Sequence, residues 1–204
     1  MRKIAIIVAM DKERELLMQS FSQNENFLIA KSGIGKVNAA LCAQALIREF
    51  QPDVIINTGV AGGCGPDIRP LDVVVAKECC YHDVWCGEPN QKGQIQDLPA
   101  RFVADEAWLG KALSCGAKPV LICSGDIFAG KDDVKRIKAD FPACQAVDME
   151  SAAIAQVCYL NQVPFLSVRI ISDNADGEDN AAQYANFWNL APQTSFSFLQ
   201  KLLS

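Results

Sequence analysis

Apolar runs of strand length alternate with helical patterns from one end of this chain to the other, and this alternation restricts the fold more than any other feature. The apolar runs are Lys3–Ala9, Phe27–Lys31, Val54–Thr58, Val73–Cys79, Val120–Cys123, Ala146–Asp148 and Phe165–Ile171. Helical periodicity predicts Lys12–Ser20, Lys36–Phe50, Glu106–Cys115, Asp132–Asp140, Glu150–Asn161 and Ala181–Leu203. In the second of these, Val37, Ala40, Leu41 and Ala45 supply an apolar face. Strands that are apolar at nearly every position need cover on both sides, which is what helices give a parallel sheet. The expected fold is α/β, a three-layer αβα sandwich around a central, mostly parallel mixed sheet. The chain has 204 residues and no linker, repeat or low-complexity tract, so 1–204 reads as a single domain. The longest irregular stretch, Cys86 to Ala100, carries the Gly, Pro, Asn and Gln of a surface loop.

Charge and cysteine usage narrow the partners. A net charge of −5 without a Lys/Arg cluster argues against a nucleic-acid surface, which needs a concentrated basic face. The expected partner is a small molecule. No apolar run approaches the ~20 residues that cross a bilayer, so no membrane partner is expected. The apolar stretch after Arg2 and Lys3 is interrupted by Asp11, Lys12 and Glu13 before any small-residue cleavage site. It reads as a first buried strand, not a signal peptide, and the expected location is cytoplasmic. The nine cysteines are odd in number, and Cys42, Cys79, Cys123 and Cys158 fall within apolar strand or helix patterns. They read as reduced core thiols. Cys79 and Cys80 are adjacent, not C-x-x-C spaced, and His82 is the only histidine, so no metal is expected.

In an α/β sheet, ligands bind beyond the carboxyl ends of strands, and there the polar and glycine-rich signatures fall. They are AMDKE at 9–13, SGIGK at 32–36, NTGVAGG at 57–63, VDMES at 147–151 and VRIISDNAD at 168–176. Each has a plain structural reading. Glu13 in a first helical turn complements the macrodipole. Asp148 and Glu150 can cap a helix, and the glycines of NTGVAGG can simply turn the chain. Gly33-Ile34-Gly35 is half a dinucleotide fingerprint, but Asn38 stands at the third glycine position. Ala30 rules out a P-loop, and Ser172 and Gln183 occupy the first and twelfth positions of a would-be calcium loop. The convergence of carboxylates at several strand ends is what points to catalysis.

Taken in order, MD-E after the first strand, SGIGK, PDVIINTG-AGG, YHD, SGD-F, V-ME and VR-ISD resemble the methylthioadenosine/S-adenosylhomocysteine nucleosidases, within the purine nucleoside phosphorylase superfamily. The resemblance runs from Lys3 to the final helix. It implies a nucleoside phosphorylase-like fold and hydrolysis of a purine nucleoside, with no organic cofactor and no metal. Glu13 matches the general base that activates water, and Asp173, after Ser172, the acid that protonates or hydrogen-bonds purine N7. Glu150 matches the carboxylate on the ribose 2'- and 3'-hydroxyls, with Met149 beneath the sugar. Phe128 matches the residue that stacks on the base, and Ile34 one that lines a 5' pocket closed partly by a second subunit. A homodimer is therefore expected, with Val84, Trp85 and Phe102 as apolar candidates for its interface or the pocket wall; alternatively, Trp85 anchors its own loop.

Such roles suit the chemistry, because an N-glycosidic bond breaks through an oxocarbenium-like sugar that needs a protonated leaving base and an activated nucleophile. The chain departs from the family at Val60, where Ser is common, in a shorter segment between Glu13 and Ser32, and in the composition of Cys86–Asp97. The 5' substituent is left open. Three other functions compete: a hydrolase of a futalosine-type nucleoside, a phosphorylase using Arg14 or Arg169 for phosphate, and a non-catalytic nucleoside-binding or storage protein. Glu13 would repel phosphate, and storage needs no acid and base pair.

Overall fold

The computed structural model describes residues 2–21, 26–190 and 192–204. Residues 22–25, in the segment expected to be short, and Ala191, in the expected Ala181–Leu203 helix, lie outside the described residues. The strands are β1 (Ile4–Val8), β2 (Phe27–Lys31), β3 (Val54–Gly63), β4 (Val73–Tyr81), β5 (Phe102–Val103), β6 (Lys118–Ser124), β7 (Cys144–Asp148) and β8 (Phe165–Asn174). The helices are α1 (Asp11–Phe21), α2 (Lys36–Glu49), α3 (Glu106–Ser114), α4 (Lys131–Asp140), α5 (Ser151–Asn161), α6 (Asn180–Leu190) and α7 (Pro192–Leu203).

The fold is the expected α/β arrangement of a central mixed sheet between helices. β1 pairs in parallel with β2 and β3, β3 with β8, β4 with β6, and β6 with β7; the β3–β7, β4–β8 and β4–β5 pairs are antiparallel. These pairings close β3, β8, β4, β6 and β7 into a ring from which β1 and β2 extend. Closure depends on the glycine-rich end of β3. The sequence expects that stretch to turn, yet it continues as strand: after a register irregularity against β8 at Ala61/Gly62, Gly62 and Gly63 pair with β8 on one side and with β7 on the other. A side chain on Gly62 would sit 2.8 Å from Ala175 Cβ, so the close approach needs glycine.

Period-two alternation sends the two faces of the sheet into separate cores. Ala5 and Ile7 of β1 join Ala39, Ala43 and Ile154 from α2 and α5. Ile4, Ile6 and Val8 join Leu17, Trp108, Leu199 and Leu202 from α1, α3 and α7. A third cluster packs Val134 and Ile137 of α4 on Cys64, Cys80, Cys123 and Cys144, buried thiols that act as small apolar groups. Local signals set the helix ends. Asp105 caps α3 by accepting from Trp108 N–H at 3.0 Å, and Gln162 stops α5 in a left-handed conformation just before Pro164.

Two expectations need correction, and one strand has no counterpart among the expected elements. The single helix Ala181–Leu203 is two, α6 and α7; Pro192, which has no N–H for a preceding turn, opens the second. The two-residue β5 carries no periodicity to read. Phe102 is buried against Tyr81 and Tyr159, with ring centroids 6.4 and 5.7 Å away, and Val84 packs on the first core, so neither is a surface anchor. Trp85 is exposed but ties down its own loop, donating to the Asn90 carbonyl at 3.4 Å beneath Lys92 Nζ at 4.2 Å.

Ile56, fully buried in β3 between Ile6 of β1 and Leu166 of β8, tests the central packing. Ile56→Ala is expected to lower unfolding stability by about 2–5 kcal/mol. Urea unfolding would measure this; a loss below about 1 kcal/mol would contradict a rigid, close-packed centre.

Candidate active site

A cavity opens at the strand ends, where α/β folds bind ligands. Glu13, Ile34, Phe128, Met149, Glu150, Ser172 and Asp173 all line it, although they come from five separate stretches of chain. Val60, Arg169 and Tyr184 complete much of its wall.

Glu13 occupies the first turn of α1, where the helix begins immediately after β1. Its Oε2 accepts the N–H groups of Ala9 and Met10, each at 2.9 Å, so it does stabilise its own helix start. Its Oε1 reaches across to the Val60 N–H at 3.2 Å. That bond comes from the main chain, so the replacement of serine by Val60 leaves it in place. Gly59 makes the approach possible: φ is +141°, and a Cβ there would overlap Glu13 Oε1 and lie 2.8 Å from Arg169 Nη1. Burial raises the Glu13 pKa, against the opposing pull of Arg169 and the three N–H groups.

Glu150 stands at the N-cap of α5 yet makes no capping bond; its Oε1 instead accepts the Gly35 N–H at 3.0 Å. Asp148 takes the capping role, receiving the Ser151 N–H at 3.3 Å and the Ser151 hydroxyl, together with the Ser124 hydroxyl at 2.5 Å. Between them lies the Arg169 guanidinium, 1% exposed, 2.7 Å from Asp148, 3.4 Å from Glu150 and 2.6 Å from Asn57 Oδ1. The competing phosphorylase reading would use Arg169 for phosphate; the structure spends its charge inside the protein.

Asp173 ends the apolar run of β8, with Oδ1 accepting the Ser172 hydroxyl at 2.6 Å. Ser172 thus meets the site through Asp173. Burial raises the Asp173 pKa, although the Ser172 bond opposes the rise. Phe128 is half exposed at the cavity mouth and meets the ring of Tyr184 edge-on at 5.4 Å. Tyr184 donates to Met10 Sδ at 3.4 Å. The sequence gives no sign of Tyr184, which lies within a helix away from every strand end.

Two buried carboxyls with raised pKa values, Glu13 and Asp173, thus face one cavity from different elements, which is the equipment for general acid and base catalysis. Among the described residues no group of three or more His, Cys, Asp or Glu is placed to hold a metal, and no helix is long and apolar enough to cross a membrane.

Known proteins resemble this chain along its whole length. The family described as Phosphorylase superfamily matches residues 3–204. The 5'-methylthioadenosine/S-adenosylhomocysteine nucleosidase of Actinobacillus succinogenes is 37% identical over 227 aligned positions, covering 99% of this chain and 98% of that protein. The crystal structure of the Neisseria meningitidis nucleosidase of the same name, in complex with methylthio-immucillin-A, superposes with a TM-score of 0.92 at 36% identity, covering 100% of this chain and 99% of the other. The futalosine hydrolase of Helicobacter pylori superposes equally well, TM-score 0.92, but at 28% identity, over 99% of this chain and 97% of the other.

The electrostatics of the site generate a stability prediction. Burial pushes the Glu150 pKa up from 4.5 to about 7, outweighing Arg169, with Asp148 adding to the rise. A carboxyl raised on folding supports the folded state fully below its unfolded pKa and loses that contribution as pH climbs through the folded one. The window for Glu150 is therefore about pH 4.5 to 7. Glu150→Gln leaves Arg169 paired with Asp148 and removes this term. The variant should match wild type near pH 5 and exceed it at pH 8 by on the order of 2 kcal/mol in denaturant unfolding. A variant less stable than wild type at pH 8 would contradict the assignment.

Proposed function

The chain belongs to the phosphorylase superfamily, and within it we propose a nucleosidase that hydrolyses the N-glycosidic bond of 5'-methylthioadenosine and/or S-adenosylhomocysteine, releasing adenine and the thioribose product. One observation carries the choice of hydrolysis over phosphorolysis. Arg169 is the one cationic residue among the described residues lining the cavity, and Asp148 and Glu150 already neutralise it. A phosphate anion would meet Glu13 with no free positive charge beside it; water meets no such repulsion.

In this reading Glu13 accepts a proton from water as the oxygen attacks the anomeric carbon. Asp173, whose hold on a proton burial strengthens, donates to N7 and lets the base depart neutral. Glu150 accepts from the ribose hydroxyls, Met149 packs beneath the sugar, and Phe128 stacks on the base. Ser172 orients Asp173 through its 2.6 Å bond. These side chains supply both proton transfers, so the reaction needs no organic cofactor and no metal.

A second copy of the chain completes the site. Ile34 lines the cavity yet is 51% exposed, and Val37 and Leu41 continue an apolar stripe along α2 at 69% and 67% exposure. Tyr159 and Leu160 of the neighbouring α5 are also exposed. An apolar surface continuous with a cavity mouth is suited to a homodimer that encloses the 5' group beside Ile34. The buried thiols of Cys64, Cys80, Cys123 and Cys144 are suited to the cytoplasm, where thiols stay reduced.

Release of the free purine base from methylthioadenosine, S-adenosylhomocysteine, adenosine and futalosine, with and without phosphate, tests the reaction. Phosphate-independent release from the two thio-substituted nucleosides is expected; release that requires phosphate would overturn it. Glu13→Gln should cut kcat by about 10²–10⁴ while adenine still binds. Asp173→Asn should slow loss of adenine more than loss of a better leaving group, and equal losses would remove its acid role. Wild-type activity should fall in acid as Glu13 gains a proton and in base as Asp173 loses one. Sedimentation should find a dimer, which Leu41→Glu disrupts.

A further inference from the structure

Parts of two motifs stand outside this chemistry: Lys36 of SGIGK, and YHD at 81–83. The fold brings them to one point, together with Asp126 of SGDIF. Lys36 is the first residue of α2, Asp83 follows β4, and Asp126 follows β6. The Lys36 ammonium donates to both oxygens of Asp83 at 2.7 and 2.6 Å and lies 3.8 Å from Asp126 Oδ2. Main-chain bonds complete the arrangement. The Lys36 N–H donates to Asp126 Oδ1 at 2.8 Å, and the Asp126 N–H donates to Asp83 Oδ2 at 3.0 Å. Beneath the ammonium, the Tyr81 ring lies 5.4 Å away, itself fixed by a 2.6 Å bond to Gln156.

An ordinary surface ion pair joins two flexible side chains and fixes little. Here the side chains of Lys36 and Asp83 are only 21% and 28% exposed, and charged oxygens accept main-chain N–H groups. Such charge-assisted bonds hold backbone in place. Burial acts to raise the Asp83 pKa, but Lys36 and the Asp126 N–H outweigh it and hold the carboxyl below its usual value.

The backbone held in this way carries the cavity wall. Immediately before Lys36 are Gly35, whose N–H holds Glu150, and Ile34; immediately after Asp126 are Ile127 and Phe128. Glu13 and Asp173 are held separately, by the N–H groups of Ala9, Met10 and Val60 and by Ser172. We propose that Lys36, Asp83 and Asp126 form a positioning clamp that locks three strand-end loops together and sets substrate affinity while leaving the proton-transfer groups untouched. This rests on the nucleosidase reading for its kinetic consequence only. Without the clamp, binding must order loops that are now ordered in advance, a cost that appears in KM; once substrate is seated, the proton-transfer groups are unchanged.

The variants Asp83→Asn, Lys36→Arg, Lys36→Met and the double variant Lys36→Met/Asp83→Asn test this. With methylthioadenosine, Asp83→Asn and Lys36→Met should each raise KM by about tenfold or more while kcat stays within about threefold. Lys36→Arg, whose guanidinium can still span both Asp83 oxygens, should stay within about threefold of the wild-type KM. The double variant should be no more than about twofold worse than the poorer single, since both break one clamp. Amide hydrogen exchange of the unliganded protein gives a readout independent of turnover. Asp83→Asn should speed exchange at 35–36 and 126–128 by about fivefold or more, at sites remote in sequence from the substitution. Unchanged exchange there, additive KM effects, or a fall in kcat at constant KM would each overturn the clamp. Should Asp83→Asn fail to fold, Asp126→Asn, at a half-exposed side chain, carries the same expectations at 35–36. A wild type that releases no adenine would remove the nucleosidase reading alone, and the exchange data would still decide the clamp.

Discussion

A guanidinium with 1% of its surface exposed, at the centre of an apolar sheet, is the constraint around which this molecule is arranged. Arg169 lies on β8 and needs partners for its charge, because an unpaired cation in that position would be far more costly than the packing around it could offset. The partners arrive from separate elements: Asn57 from β3, Asp148 from the end of β7 and Glu150 from the start of α5. Ser151 and the Thr58 carbonyl fill remaining positions. Meeting these needs at once fixes the register of β3 against β8 and brings β7 to the same point. The closed ring of strands is the backbone arrangement that makes this possible.

The same cation shapes the chemistry by being outnumbered. Glu13, Asp148 and Glu150 all act on Arg169, and Asp148 is both nearest and most fully satisfied by hydroxyl and N–H donors. What attraction remains for Glu13 and Glu150 falls short of the desolvation that burial imposes, so both carboxyls are held above their ordinary pKa values. A positive charge therefore coexists with carboxyls whose hold on a proton is strengthened, and no charge remains free to capture an anion.

Much of this was legible in the sequence because apolar strands and the polar residues that end them are local patterns. The core strands and the five strand-end signatures require only neighbouring residues to be recognised. Failures occur where the information is distant. NTGVAGG reads as a turn because nothing local reveals that β7 will continue pairing with Gly62 and Gly63. Arg169 stays open as a phosphate ligand in the competing phosphorylase reading because its carboxylate partners lie about twenty residues upstream and its amide partner more than a hundred. Tyr184 reaches the cavity only through the way α6 packs on β8. Phe102 reads as a candidate for an interface or the pocket wall until the pairing of Cys79 with Phe102 turns it inward beneath Tyr159.

The contrast between Asp148 and Glu150 shows how two acids, separated only by Met149, come to differ in kind. Asp148 is short and ends a strand, so its oxygens remain within the interior, where Ser124, Ser151 and Arg169 occupy their acceptor positions. Glu150 begins after the strand has ended and is one methylene longer, which takes its carboxyl past the helix start to the cavity wall. There it receives the Gly35 N–H and a long contact from Arg169. A carboxylate offers about four acceptor positions, so Glu150 retains unused ones facing the cavity. A vicinal diol presents two hydroxyl donors to such a group, and it would complete by binding what folding leaves incomplete. The capping role open to either acid goes to Asp148, and this frees Glu150 for a ligand.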